Sequence, residues 1–309
     1  MKENIIRVGT RGSQLALFQA ELTKKILLKK FPETTVEIII IKTKGDKILD
    51  VALSKIGDKG LFTKEIEAAL IAGEVDIAIH SLKDLPTILP EGLKLGAVLK
   101  RAEFRDALVS KNGRKLNELT PNDTIATSSL RRKAGLLHIN KNFNIVDIRG
   151  NVNTRLRKME EGYCDAMIMA AAGLQRLGLD KYITEILEPE VIIPATSQGV
   201  IAVESRTDDS QIDAYLKEIN HAQTWNAIEV ERSFLNSIEG GCQVPVGCYT
   251  KTEGDSISIT GFVASVDGTE FLLDQESGLV SDGKKTGENL SKKLIERGAG
   301  RILANIRQQ

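Results

Sequence analysis

The chain has 309 residues, of which 41% are hydrophobic, 27% charged and 4% aromatic; this suits a globular protein of two ordinary domains or three small ones. Lysine plus arginine equals aspartate plus glutamate at 42 each, so no global charge steers it onto nucleic acid or lipid, and so few aromatics make no base-stacking platform. Three cysteines and three histidines without metal-ligand spacing argue against a disulfide framework or a metal centre and for a cytoplasmic setting, and no apolar run suits a leader or a membrane span.

Ile5 to Gly9 has the pattern of a strand and Gln14 to Lys29 that of a helix with Leu15, Phe18, Leu22 and Ile26 along one stripe. Thr10-Arg11-Gly12-Ser13 joins them, with Ser13 as N-cap. A polar turn before a helix N-terminus is a ready anion site, because the first amides lack partners within the helix. Taken alone, Arg11 is as readily a solvated surface charge. Val36 to Ile41 is a second strand. Lys44 to Lys59, rich in lysine and glycine and without a sustained period, reads as a long loop of the kind that forms lids. Thr63 to Ala72 is a helix closed by Gly73, and Val75 to Ile79 a strand that delivers His80-Ser81-Leu82-Lys83-Asp84-Leu85-Pro86. Pro86 keeps Asp84 in an extended or turn segment.

Leu93 to Leu99 and Ala107 to Ser110 are strands, with Lys100 to Phe104 as a crossing between domains. Thr124 to Thr127 leads into Ser128-Ser129-Leu130-Arg131-Arg132, which opens a helix. Ile145 to Ile148 leads into Arg149-Gly150-Asn151 and a second helix that carries Arg155 and ends at Gly162. Asp165 to Ala170 is a strand, followed by the segment that contains Arg176. Gly73-Glu74-Val75-Asp76 and Gly162-Tyr163-Cys164-Asp165 each join a helix end to an apolar strand through Gly, two residues and Asp. This echo points to two similar α/β domains, whose strand ends are where such sheets bind ligands. Ala195 to Gly199, with Gln198, precedes a strand at Val200 to Glu204 and a helix at Asp213 to Asn220. A helix at Thr224 to Ile238, strands at Pro245 to Tyr249, Ser256 to Val266 and Phe271 to Asp274, and a helix at Lys284 to Arg297 make an α+β C-terminal unit. Asp267-Gly268 predicts a type I′ hairpin between its last two strands.

Between that helix and that sheet lies Glu239-Gly240-Gly241-Cys242-Gln243-Val244-Pro245. A thiol between a glycine pair and a proline is either a small core residue beyond a glycine cap or a side chain presented by its loop. Cys164 and Cys248 read as packing residues.

Gly240 to Pro245 resembles the cofactor-attachment loop of the porphobilinogen deaminase (hydroxymethylbilane synthase) family, and the resemblance extends over nearly the whole chain. It implies a dipyrromethane cofactor held on Cys242 by a thioether. His80 to Pro86 resembles the family's catalytic loop, with Asp84 as the catalytic aspartate. Thr127-Ser128-Ser129-Leu130-Arg131-Arg132, Arg149-Gly150-Asn151 and Arg155 resemble its carboxylate clamps. The resemblance thus implies cofactor binding by Ser13, Lys83, Thr127, Ser128, Ser129, Arg131, Arg132 and Gly150. Substrate binding falls to Arg11, Arg149, Arg155, Arg176 and Gln198, and a lid carries Lys55 and Lys59. The family usually has Gly where this chain has Ser197. Bidentate guanidinium forks suit the acetate and propionate groups of porphobilinogen better than ammonium points do.

The implied fold is two doubly wound α/β domains of periplasmic-binding-protein type, residues 1–99 with 195–219 and residues 100–194, plus a small α+β domain at 220–309. The implied protein is a monomer that condenses four porphobilinogen molecules with loss of ammonia. A non-catalytic two-domain protein that closes on an anionic small molecule would explain the strand-end arginines but not Cys242 or the Asp84 loop. A thiol-dependent acyl transferase would explain Cys242, but no histidine is placed in sequence to suggest its base.

Overall fold

The alternation of strand and helix patterns condenses into two five-stranded sheets of one design, in a computed structural model that describes residues 5–47, 60–238 and 244–308. The first sheet holds β1 (Ile5–Thr10), β2 (Thr35–Ile40), β3 (Ile77–Ser81), β4 (Leu93–Val98) and, from far along the chain, β10 (Ile201–Arg206), in the order β2-β1-β3-β10-β4. The second holds β5 (Asp106–Ser110), β6 (Thr124–Ala126), β7 (Asn144–Val146), β8 (Ala166–Ala170) and β9 (Glu185–Leu187), in the order β7-β6-β8-β5-β9. In each sheet the first three strands run parallel, and the fourth is antiparallel to both neighbours. That fourth place goes to the strand that follows the other sheet in sequence: β10 comes after β9, and β5 after β4.

Helices cover both faces of each sheet, which is why the strands are apolar on both sides. In the first sheet, α1 (Gln14–Lys30) and α7 (Ser210–Ile219) pack with Val8, Ile77, Ile79 and Val203, while α3 (Lys64–Ile71) packs with Val75 and Ala78 on the other face. A single turn, α2 (Lys44–Lys47), follows β2. In the second sheet, α4 (Leu130–Ile139) packs with Leu108, Ile125 and Ile168, while α5 (Val152–Glu160) and α6 (Ala171–Arg176) cover Val109, Met167 and Met169. The C-terminal part is an antiparallel sheet of β11 (Val246–Glu253), β12 (Ser256–Ala264) and β13 (Phe271–Leu279). On it pack α8 (Ala222–Ser237), α9 (Gly283–Glu296) and α10 (Ala299–Arg307) around Phe234, Ile259 and Leu294. The chain divides into two compact units. One runs through Ala102 and includes Val200–Trp225; the other contains Glu103–Gly199 and everything from Asn226 onward.

The mixed α/β class and the C-terminal α+β sheet are as expected, with local differences. The strand before Ser81 starts two residues later than its apolar pattern suggested, so His80 and Ser81 are still in the sheet. β13 runs on to Leu279 because its far half alternates exposed and half-buried residues on an edge strand. The turn at Asp267-Gly268 is not type I′, since Gly268 has φ +69° but Asp267 is not among the positive-φ residues. Instead Gly268 N–H donates to Ser265 O at 3.0 Å and Asp267 Oδ1 accepts the Thr269 amide, a longer loop organised by an aspartate.

The sequence echo has a physical basis. In the first sheet the Asp76 amide donates to Arg7 O at 2.8 Å while its carboxylate accepts the Arg7 amide at 2.8 Å. In the second the Asp165 amide donates to Thr124 O at 2.9 Å and its carboxylate accepts the Thr124 amide at 2.9 Å. Each aspartate thus registers the third parallel strand against the first, one residue ahead of the pairs Val8–Ile77 and Ile125–Ala166. Both are preceded by a left-handed glycine, Gly73 at φ +72° and Gly162 at φ +93°, that ends the incoming helix. Burial pushes the Asp76 carboxyl upward, but hydrogen bonds from Arg7, with Arg206 nearby, outweigh it and hold the group below the ordinary carboxylate range. Asp76→Ala should destabilise the fold by about 1–3 kcal/mol, the cost of losing the hydrogen bonds it accepts from the Arg7 amide and guanidinium. A folded-state value below the unfolded one gives stability that is present above about pH 4 and lost on acidification. The gap between wild type and variant in urea melts should therefore narrow below that pH; a pH-independent gap would remove the charge from the account.

Candidate functional site

In the first unit the carboxyl ends of the neighbouring parallel strands β1 and β3 carry the predicted groups. Arg11 follows β1 directly, and Ser13 caps α1, its Oγ accepting the Ala16 amide at 3.3 Å. Arg11 already has a carboxylate: its Nη2 and Nε donate to Asp46 Oδ1 at 2.5 and 3.2 Å, and its guanidinium lies 4.1 Å from the Phe62 ring centroid. Thr43 Oγ1 donates to the same Asp46 at 2.8 Å. Burial works against the Asp46 charge, but Arg11 and Thr43 together hold its carboxyl below the ordinary range. At the end of β3, Ser81 Oγ accepts from Gln19 Nε2 at 2.8 Å and the Leu82 amide donates to Val200 O at 3.0 Å. Leu82–Asp84 then form one 3₁₀ turn in which Leu82 is buried, Lys83 half-buried and Asp84 exposed. The loop is anchored at its base and presents its carboxylate to solvent.

In the second unit the ends of β6 and β7 are tied to each other. Ser128 Oγ donates to Ile148 O at 2.7 Å and accepts the Ile148 amide at 3.0 Å, and the Thr127 amide donates to Val146 O at 2.8 Å. Thr127 Oγ1 accepts the Ser129 amide at 3.3 Å, and Ser129 in turn caps α4. Gly150 has φ +119°, and a Cβ there would come within 2.6 Å of Thr154, so the turn needs glycine. Its carbonyl accepts from Arg155 Nε at 2.8 Å, while the neighbouring Arg149 carbonyl accepts from Lys158 Nζ at 3.2 Å.

Arg131 and Arg132, at the start of α4, are buried and converge on Asp106, the first residue of β5, which has no exposure at all. Arg131 Nη2 is 2.8 Å from Asp106 Oδ2 and Arg132 Nη2 is 2.7 Å from Oδ1. Gln198 Nε2 donates to the same Oδ1 at 2.9 Å and to Phe104 O at 2.8 Å. Arg131 also donates to Ile193 O and Arg132 to Ile168 O. Burial alone would raise the Asp106 carboxyl, but the two guanidiniums drive it far below the ordinary range; burial lowers Arg131 despite its partner. Two cations face one anion, and the Nε atoms of both arginines have no hydrogen-bond partner among the described residues. Arg176, pushed down to about 10 by burial, donates to Gly199 O at 2.7 Å. Next to Gln198 in the chain, Ser197 lies in the left-handed region at φ +61°, its amide donating to the buried Glu231 carboxylate at 2.7 Å.

The structure thus gathers Arg11, Ser13, Lys83 and Asp84 in one unit and Thr127, Ser128, Ser129, Arg131, Arg132, Arg149, Gly150, Arg155, Arg176 and Gln198 in the other. Cys242, Lys55 and Lys59 lie outside the described residues. Cys164 and Cys248 are buried, as expected of packing residues, and burial pushes the Cys164 thiol up to about 11. Sequence reasoning missed Asp106, Asp46 and Glu231. Among the described residues no cluster suits a metal ion, and no helix is long and apolar enough to cross a membrane.

Comparison with known proteins agrees with the motifs. Residues 6–214 match the family described as porphobilinogen deaminase, dipyromethane cofactor binding domain, and residues 225–296 match the porphobilinogen deaminase C-terminal domain. The chain is 48% identical over 302 residues to the porphobilinogen deaminase of Desulforamulus reducens, covering 98% of each chain. It is 47% identical over 309 residues to that of Geobacter sulfurreducens, covering 100% of this chain and 97% of the other. Among solved structures, the periplasmic VFT2 domain of Bordetella pertussis BvgS overlaps 70% of this chain and 87% of its own, at 14% identity and a TM-score of 0.43.

The hub changes what an arginine variant should do. Losing Arg132 leaves Asp106 paired with Arg131 and Gln198 but removes a buried charge-assisted hydrogen bond, worth about 1.5–3 kcal/mol. Arg132→Leu should therefore lower the unfolding free energy by that order in urea melts, whereas the half-buried Arg149→Leu should leave it within about 1 kcal/mol. Equal stability losses in the two variants would mean that Asp106 does not depend on Arg132.

Proposed function

We infer the activity from one premise: the chain belongs to the porphobilinogen deaminase family. In this reading it condenses four porphobilinogen molecules head to tail, releasing ammonia at each step, and hydrolyses off the linear tetrapyrrole hydroxymethylbilane. It does so as a monomer in the cytoplasm, with porphobilinogen as its small-molecule partner and without nucleic acid or membrane. The observation that carries the reading is the arginine hub: a buried site with two guanidiniums for one carboxylate has one positive charge left for an anion.

A dipyrromethane, thioether-linked to Cys242, fits that charge, because its acetate and propionate groups would meet the two unpartnered Nε atoms of Arg131 and Arg132. In the same reading Ser13 and Lys83 of the first unit, and Thr127, Ser128, Ser129 and Gly150 of the second, also bind the cofactor, from helix starts and turns of the kind that suit anions. When bound, the cofactor supplies the nucleophilic pyrrole carbon on which the product chain grows.

The other steps belong to side chains. Arg11, Arg149, Arg155 and Arg176 hold the carboxylates of the arriving substrate, with Gln198 oriented by Asp106. As ammonia leaves the aminomethyl group of porphobilinogen, positive charge spreads over the pyrrole. The Asp84 carboxylate, held on an anchored turn, stabilises that charge through the pyrrole N–H and takes part in moving its proton. Fixing the carboxylate before the reaction saves the cost of reorganising solvent around it.

Two measurements test the reading. Intact mass under denaturing conditions should exceed that of the bare chain by two pyrroles; Cys242→Ala should lose the adduct and all turnover, while Cys164→Ala and Cys248→Ala keep it. A bare-chain mass for wild type from cells that make porphobilinogen would sink the proposal. Asp84→Asn keeps the shape and loses the charge, so it should fold normally and turn over about 10²–10³ times more slowly. Asp84→Glu, charged but misplaced, should fall between. A near wild-type rate for Asp84→Asn would make Asp84 a turn residue.

A further inference from the structure

Beneath α3 lies a buried polar cluster that no step above uses. β3 and β10 pair antiparallel with His80 opposite Ala202, which puts Glu204, two residues on, on the same face of the sheet as His80. His80 Nε2 is 3.1 Å from Glu204 Oε2, and the two residues are 6% and 0% exposed. Glu67 of α3 is buried on the same side of the sheet. Burial first, eased by the Thr63 hydroxyl and then reinforced by the charge of Glu204, raises the Glu67 carboxyl above its ordinary range. The surroundings are otherwise apolar: Ile66, Leu70, Ala78 and Leu93.

Such a cluster is a poor way to hold a sheet together. Glu204 Oε1, Glu67 Oε1 and Ser205 Oγ have no hydrogen-bond partner among the described residues, and unsatisfied buried polar atoms cost stability. An apolar pair of similar volume would pack there as well or better. What the pair supplies instead is direction. His80 immediately precedes Ser81, which Gln19 holds at 2.8 Å, and Leu82, whose amide is held by Val200 O at 3.0 Å. The turn that presents Asp84 begins at Leu82. One side-chain contact therefore orients the last turn of strand before the chain leaves the sheet, and through Val200 it engages the strand that bears Glu204.

We propose that His80 and Glu204 are positioning residues of the deaminase reaction: their buried hydrogen-bonded pair sets the exit direction of β3 and so the place of the Asp84 carboxylate. The proposal rests on Asp84 being the catalytic carboxylate. A misplacement of about 1 Å at the reacting group costs on the order of 10²-fold in rate, so a small rotation at His80 is felt in turnover and not in binding, which the arginines govern.

The test uses full-length, adduct-bearing enzyme, with rates expressed per mole of adduct so that incomplete folding does not enter. Glu204→Gln and His80→Gln should each lower kcat at least tenfold with KM within twofold of wild type. The double variant should be no slower than the slower single one, because the two act as a unit. A purely structural pair would lower Tm and yield while leaving kcat per mole of adduct unchanged, and that result in either single variant overturns the proposal. Where a single variant fails to fold, the apolar pair His80→Leu with Glu204→Met restores packing. It should fold with a Tm at or above wild type and show the same loss of kcat; wild-type kcat in that protein would overturn the proposal equally. Wild type run alongside separates the two readings: its own ammonia release carries the deaminase activity, and only the variants' loss relative to it carries the positioning.

Discussion

A carboxylate wholly removed from water must be paired or protonated, and Asp106 is paired three times over. Its partners come from places with no local reason to meet. Asp106 opens the strand that enters the second sheet, Arg131 and Arg132 open the helix after that sheet's first parallel strand, and Gln198 sits on the segment by which the chain leaves for β10. One interaction thus ties together the strand that enters the unit, the helix after its first parallel strand and the segment by which the chain leaves. Whatever fixes the charge of the site also fixes the course of the chain through it. This is why the arginines cannot be treated as ligand-binding groups laid on an independent scaffold.

The same economy recurs on a smaller scale. Ser128, expected at a cofactor site, spends its hydroxyl on both backbone groups of Ile148 and so sets the height of the Arg149-Gly150 turn. Ser13, Ser129 and Asn151 each cap a helix at the end of a parallel strand. Arg11, Asp46 and Phe62 form a closed group in which a protein carboxylate takes the position expected of a ligand's. In each case a residue that could contact an anion is already doing a backbone's or a neighbour's work.

How much of this was legible depends on the range over which each feature acts. The strand and helix periods, the Ser13 cap and the Gly-x-x-Asp echo are local, and they predicted elements and a duplication that the sheets display. The roles given to Asp84 and Cys242 come from motif resemblance alone, since nothing in the spacing says what a carboxylate after β3 is for and Cys242 lies outside the described residues. Asp106 was not legible, because its partners lie 25, 26 and 92 positions away and only the pairing of β5 with β8 brings them near. The left-handed backbone at Ser197 was hidden for another reason: serine is an unusual residue there, and the conformation is held from outside by the carboxylate of Glu231. β13 was underestimated because an exposed edge strand lacks the apolar signal that marks buried ones.

The crossed strand order also bears on how the protein is made. β4 takes its hydrogen-bonded neighbour from β10, with Leu93 opposite Arg206, so when β4 leaves the ribosome its partner has not yet been synthesised. The second sheet, by contrast, draws every strand from one continuous stretch, Asp106 to Leu187. During translation the later sheet can close while the earlier one still has an open edge at β3. That edge presents Ile77, Ala78 and Ile79 before His80 and Ser81, and it leads into the Asp84 turn. The nascent chain therefore carries an unpaired strand edge for the time needed to add about a hundred residues, on the order of 5–20 seconds at ordinary elongation rates, and a chaperone that shields β3 over that interval would guard against edge-to-edge pairing.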